Sequence, residues 1–147
     1  MCGIYGIMRL GAAARRSSDV LKRMGDAIVH RGPDDAGEFA DDRLLLGMRR
    51  LSIIDVAGGH QPIASEDGQT IAVCNGEIYN FRALRRQLEA AGHRFASDSD
   101  SEVIVHAYEE YGDAFLNMLD GMFGLALWDR RSLQPVHWQG CLPSCRH

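Results

Sequence analysis

Cys2 is the residue on which a chemical reading of this sequence turns. A small second residue commonly lets the initiator methionine be removed, which leaves Cys2 at the N-terminus. A free α-amine titrates near about 7.7–8.0 and sits beside its own thiol, so it can serve as a general base at physiological pH. The competing reading is an incidental or buried cysteine close to a chain end. A second chemical signal is Asn75-Gly76-Glu77, directly after an apolar run that ends at Cys74. The Asn75 side-chain amide and the Gly76 backbone N–H could together donate to a developing oxyanion, because glycine lets a reacting carbonyl approach the backbone. The same dipeptide also reads as a plain Asn-Gly hairpin turn. Taken one at a time, these residues leave both pairs of readings open.

The elements that would carry them alternate between strand and helix patterns. Gly3 to Met8 is a short apolar run suited to a strand, which would fix Cys2 on a rigid element. From Val20, the residues Leu21, Met24, Ala27 and Ile28 recur at helical spacing, with Ser17, Ser18 and Asp19 available as N-caps. His30-Arg31-Gly32-Pro33-Asp34 ends that helix, since proline disfavours helical geometry in the residue before it. Arg43 to Met48 and Gln69 to Cys74 predict strands joined by a loop containing Gly and Pro. Asn80 is placed to cap a helix through Phe81, Leu84, Leu88 and Ala91 that stops at Gly92. Ser99 with Glu102 forms a capping-box pattern ahead of Val103, Ile104, Ala107 and Tyr108, and Met122 to Trp128 predicts another strand. The sum is a layered α+β or α/β domain with sheets at its core.

Composition narrows the class. The chain has 147 residues, enough for one domain, and 46% hydrophobic with 24% charged residues is ordinary for a globular protein. A net charge of −4 without a basic stripe argues against nucleic-acid binding. No apolar run approaches the roughly 18–20 residues of a membrane span, and no signal-peptide pattern is visible. Cys2, Cys74, Cys141 and Cys145 are too few and too unevenly spaced for a disulfide framework, so a reducing cytoplasm is the expected compartment.

Several further motifs occur in order: Met1-Cys2-Gly3-Ile4, His30-Arg31-Gly32-Pro33-Asp34, Arg50-Leu51-Ser52-Ile53-Ile54-Asp55, Gln61-Pro62, Asn75-Gly76-Glu77-Ile78-Tyr79-Asn80, Ser99-Asp100-Ser101-Glu102, and Gly121-Met122-Phe123-Gly124-Leu125-Ala126-Leu127-Trp128-Asp129. Over residues 2–129 the chain resembles the glutaminase domain of glutamine-hydrolysing asparagine synthetases, within the class II, N-terminal-nucleophile amidotransferases. Pro33 and the Glu77-Ile78-Tyr79-Asn80 run favour that branch over the purine- and hexosamine-biosynthesis relatives. The resemblance implies an α+β, four-layer αββα fold. It implies Cys2 as the nucleophile that attacks the side-chain amide of L-glutamine, its α-amine carrying the proton through a water. It further implies Asn75 and Gly76 as the oxyanion hole, Arg50 as the holder of the α-carboxylate, and Asp100 with nearby Glu77 as the receiver of the α-ammonium. Asp100 in the first turn of a capped helix also has a purely electrostatic reading. Arg31 and Asp34 read as structural, holding the loop beside the site.

The same resemblance implies no cofactor for this chain. ATP and Mg belong to an ATP-dependent synthetase domain that normally follows in the same polypeptide, and a homodimer is allowed. Residues 130–147 carry two prolines, two cysteines and a tryptophan, and are expected to form an aberrant or disordered tail that leaves the sheet short of closing strands. His137, Cys141, Cys145 and His147 fit none of the usual zinc spacings, so no metal is expected. Three functions stay open at this level: a glutaminase, a non-catalytic partner-binding fragment, and an amidotransferase with a different acceptor.

Overall fold

The computed structural model describes residues 2–8, 18–51 and 59–141, and its elements run in two sheets. Sheet one has the order β1 (Gly3–Met8), β3 (Leu44–Arg50), β2 (Asp35–Ala40). Sheet two has the order β4 (Ile63–Ala64), β5 (Thr70–Ile78), β6 (Gly121–Asp129), β7 (Gln134–Cys141). All pairings are antiparallel. The helices are α1 (Ser18–Ala27), α2 (Phe81–Ala90) and α3 (Val103–Tyr111), with 3₁₀ turns over Val29–Arg31, Asp100–Glu102 and Gly112–Met118.

Alternation along each strand decides what each face buries. Leu44, Leu46 and Met48 of β3 meet Ile71 and Val73 of β5 and Trp128 of β6, so the two sheets pack face to face. Cys2 and Ile4 join that middle layer. The opposite face of sheet one, with Tyr5 and Leu45, packs under Leu21, Met24 and Ile28 of the α1 segment. The opposite face of sheet two, with Ala72, Cys74, Phe123, Leu125 and Leu127, packs under Leu84, Leu88, Val103, Ile104 and Phe115. The layers are therefore α1, sheet one, sheet two, and α2 with α3. This is the expected α+β, four-layer αββα arrangement. Strands covered on both faces read as continuous apolar runs, as in Leu44-Leu45-Leu46.

Several local expectations are corrected. Asn75-Gly76 is no hairpin turn: both residues lie inside β5, paired with Gly124 and Phe123. Strand β2, Asp35–Ala40, was not anticipated, because its alternation is carried by small and charged residues. Asn80 precedes α2 but makes no side-chain cap. Its amide instead donates to Met118 O at 2.8 Å and accepts from Asp120 N–H at 3.0 Å, tying α2 to the segment entering β6. Ser99 does cap, accepting from Ser101 N–H. Glu102 reaches further back than a capping box requires, to Ala96 and Ser97 N–H at 2.6 and 2.8 Å.

Of the tail expected from residue 130, the structure describes residues as far as Cys141. The chain turns after Asp129, whose Oδ1 accepts from Arg131 N–H at 2.8 Å, and returns as β7 along β6, from Asp129↔Gln134 to Met122↔Cys141. Val136-His137-Trp138-Gln139 has the period-two alternation of a strand, which the prolines and cysteines nearby obscure. Readings that rest on Ser17, on Ser52 to Asp55, or on Cys145 and His147 lie outside the described residues.

Candidate functional site

Cys2 immediately precedes β1. One step beyond the Gly3↔Arg49 pair, it stands opposite Arg50 at the end of β3. Its Sγ accepts from Leu51 N–H at 3.3 Å and lies 3.7 Å from Leu51 O, so the backbone leaving β3 holds the sulfur from two sides. Arg50 continues the inward set of Leu44, Leu46 and Met48 and is only 7% exposed. The backbone on its outer side is held too, since Asp34 N–H donates to Arg50 O at 3.1 Å.

Sheet two contributes the other wall. Asn75, Gly76 and Glu77 occupy the last part of β5, where Asn75 is half-buried and Gly76 and Glu77 are exposed. Gly76 has φ of +146°, and a Cβ there would lie 2.1 Å from Met122 O and 2.5 Å from Phe123 Cα. Only glycine allows that backbone course beside β6. Asp100, at the start of the 3₁₀ turn before α3, is buried. Its Oδ2 accepts from Ile78 N–H at 2.8 Å, and its Oδ1 accepts from Ser101 Oγ–H at 3.3 Å. The carboxylate is thus anchored to the end of β5 as well as to its own helix.

These pieces enclose one cleft of about 220 Å³ between the sheets. Its lining includes every candidate residue: Cys2, Arg50, Asn75, Gly76, Glu77 and Asp100. A cation enters from sheet one and an anion from the helix side of sheet two. Arg31, by contrast, is exposed and does not line the cleft.

Gln61, Cys74, Ser99 and Ser101 also line it, and residue chemistry alone did not single them out. Gln61 has the clearest structural task. Its Nε2 donates to Cys74 O at 3.0 Å and its Oε1 accepts from Cys74 N–H at 2.6 Å. Ladder β4–β5 pairs Ile63 with Ala72, so a further strand residue would be due opposite Cys74. A side-chain amide fills that place instead, offering one donor and one acceptor in the geometry of a peptide unit. Gly37 of β2 makes room, because a Cβ there would overlap Gln61 O at 1.7 Å. The available signal was a glutamine directly before proline, but its partner is backbone, which leaves no trace in the sequence.

Cys74 faces away from the middle layer and is inert for a different reason. Burial first, then the negative charge of Asp100, pushes its thiol up to about 12. It therefore stays protonated in the folded protein across the range where an unfolded thiol ionises. Between about pH 9 and 12 the native state holds a proton that the unfolded state has lost, so this residue makes stability fall as pH rises past about 9. Urea titrations at pH 8 and pH 10 are expected to show a smaller loss for Cys74→Ala than for the unmodified chain. Iodoacetamide at pH 8 should leave Cys74 of the folded protein unmodified; rapid alkylation there would contradict the buried, neutral thiol.

A family model described as a glutamine amidotransferase domain matches residues 1–137. Among curated proteins, the chain is 46% identical over 134 residues to glutamine-hydrolysing asparagine synthetase 2 of Bacillus subtilis (strain 168), covering 88% of this chain and 17% of that protein. It is 40% identical over 131 residues to the glutamine-hydrolysing asparagine synthetase of Zea mays, covering 89% of this chain and 22% of that protein. The chain thus spans about a fifth of the length of these relatives. Among solved structures, a glutamine phosphoribosylpyrophosphate amidotransferase from B. subtilis, complexed with ADP and GMP, superposes with a TM-score of 0.62 at 20% identity, covering 88% of this chain and 35% of that one. That likeness bears on the fold.

Proposed function

Since the chain belongs to the glutamine amidotransferase domain family, we propose that it hydrolyses the side-chain amide of L-glutamine to glutamate and ammonia, as the glutaminase part of an asparagine synthetase. The observation that carries this reading is the convergence of a thiol, a buried guanidinium, a buried carboxylate and an Asn-Gly backbone on one small cleft. Removal of Met1 frees the Cys2 α-amine. The Cys2 sulfur attacks the amide carbon, and the thiol proton passes to the α-amine, through a water where the distance requires one. The resulting oxyanion accepts hydrogen bonds from the Asn75 side chain and the Gly76 N–H. Collapse breaks the C–N bond, the α-amine returns the proton to the departing nitrogen, and ammonia leaves a thioester. Water then adds to the thioester carbon through the same oxyanion donors, releasing glutamate and restoring the thiol.

Binding of the amino-acid end is the work of charge. Arg50 takes the α-carboxylate in a two-point contact that a planar guanidinium suits, and Asp100, with Glu77 at the rim, takes the α-ammonium. Ammonia is then used by an ATP-dependent synthetase segment, which supplies the nucleotide and Mg chemistry that this chain's cleft does not require. The reducing cytoplasm suits a reaction that depends on a free thiol. No helix among the described residues is long and apolar enough to cross a membrane.

Labelling is the direct test. The glutamine-like electrophile 6-diazo-5-oxonorleucine, followed by peptide mass spectrometry, should modify Cys2 on a chain lacking Met1 and spare the other cysteines. Modification at Cys74, or none at Cys2 while glutamine is still hydrolysed, would sink the assignment. For the binding pair, Arg50→Ala is expected to raise KM for glutamine by about 10²-fold, the loss of a charge-assisted contact worth about 3 kcal/mol. Arg50→Lys should recover only part, because an ammonium cannot reproduce the two-point contact. A fall in kcat with KM unchanged would count against a binding role.

A further inference from the structure

Away from the cleft, three segments bring Glu66, His93 and His106 together. Glu66 lies in the turn between β4 and β5, His93 follows α2, and His106 is on α3. One donor atom from each lies within 4.8 Å of the other two. His106 is the unusual member. It is 1% exposed, and neither ring nitrogen has a hydrogen-bond partner. Its ring packs against Phe95 at 4.3 Å and against His93 at 5.2 Å between centroids. The nearest acid, Glu102, stands 3.6 Å from His106 Nε2, and that carboxylate is already accepting from Ala96 N–H, Ser97 N–H and Ser97 Oγ–H. A buried imidazole that makes no hydrogen bond within 3.5 Å, and has only a long ion-pair contact with Glu102 at Nε2, is costly.

We propose that Glu66, His93 and His106 form a binding site for a divalent transition metal of the zinc class, tying the end of α2 and the face of α3 to the β4–β5 turn. Two imidazoles and one carboxylate are a borderline-soft donor set that suits zinc or cobalt, with water as fourth ligand. Glu110 lies 3.3 Å from His93 Nε2, and Glu102 lies near His106 Nε2, where outer carboxylates stand beside metal-bound imidazoles. Glu66 accepts from Arg94 N–H through Oε1, which leaves Oε2 for a metal. Access exists, because an open cleft of about 370 Å³ runs past Glu66, His93, Asp67 and Glu109. Donor separations around zinc are about 3.3–3.5 Å, given bonds of about 2.0–2.2 Å, so the three groups must close by about an ångström. Glu66 is exposed and His93 half-buried, so both can turn inward while His106 stays fixed.

The test is titration of the purified full chain with Co²⁺, followed by visible absorption and by competition with a chromophoric chelator. One equivalent should bind with the d–d bands of a four-coordinate nitrogen and oxygen site, and without the near-ultraviolet charge-transfer band of a thiolate ligand. Glu66→Gln and His93→Ala should each weaken binding at least about 10-fold. Both positions lie outside the Cys2 cleft, so labelling of Cys2 by the glutamine analogue should persist in both variants and confirm that they fold. Absence of stoichiometric binding, a thiolate band, or equal affinity in folded variants would overturn the proposal.

Discussion

Alanine in place of Cys2 is expected to abolish glutamine hydrolysis, by at least about 10⁴-fold, while the melting temperature changes little. Catalysis by the proposed route has no second nucleophile to fall back on. Cys74, also in the cleft lining, is held as a neutral thiol by burial. The structural loss is small by comparison, since Cys2 is half-buried and, among the described residues, its sulfur hydrogen-bonds with the backbone of Leu51. The informative comparison is Cys2→Ser, which keeps a hydroxyl of similar shape but is far less acidic. It should bind glutamine with little change in affinity, read by calorimetry, and turn over at a small fraction of the original rate. If Cys2→Ala retained ordinary turnover with glutamine, the nucleophile would have to be sought elsewhere.

Gly76→Ala is expected to have the largest effect on the fold itself. The new methyl group would sit 2.1 Å from Met122 O and 2.5 Å from Phe123 Cα, both backbone atoms of a paired strand. The φ of +146° adds strain for any residue with a side chain. Relief requires β5 and β6 to part, at a cost of about 2–4 kcal/mol and a fall in melting temperature on the order of 10 °C. Gly68→Ala separates the two contributions. Its φ is +68°, but nothing lies within 4 Å of the added carbon, so only the backbone term of about 1 kcal/mol should appear. Equal melting shifts for the two variants would refute the steric argument. Gly76→Ala should also lose Cys2 labelling more completely than its stability loss explains, because the proposed oxyanion donor moves with the strand.

How much of this was legible beforehand depended on whether a residue's task was local. The Gly3–Met8 strand and the α2 span follow from their own periodicity and end signals, and the structure reproduces them closely. Cys2, Arg50, Asn75, Gly76, Glu77 and Asp100 were nameable through their motifs, and all six meet at one cleft. What was illegible is relational. Asn80 looks like a helix cap until Met118 and Asp120 are seen to compete for its amide. Gln61 has no periodicity to announce that its side chain replaces a strand residue opposite Cys74. Strand β7 has a short alternating core, but its partner, β6, cannot be read from that alternation. His106 sits on the apolar-periodic face of α3, where a sequence pattern marks it as core and says nothing of two orphaned nitrogens.

The reacting groups are divided between two independently hydrogen-bonded sheets, and that division makes the sandwich filling a gauge of reach. Cys2 and Arg50 ride on the first sheet, while Asn75, Gly76 and the Asp100 anchor ride on the second. Among the described residues no main-chain ladder joins the two, so their separation is set by the thickness of Leu44, Leu46, Met48, Ile71, Val73 and Trp128. Thinning this filling should pull the walls together and thickening it should spread them, although none of these side chains touches a substrate. Attack of sulfur on a carbonyl tolerates little error in approach distance. The dimensions of a few apolar side chains thus act as a shim that sets the jaw width of the cleft, and turnover should record their volume as faithfully as stability does.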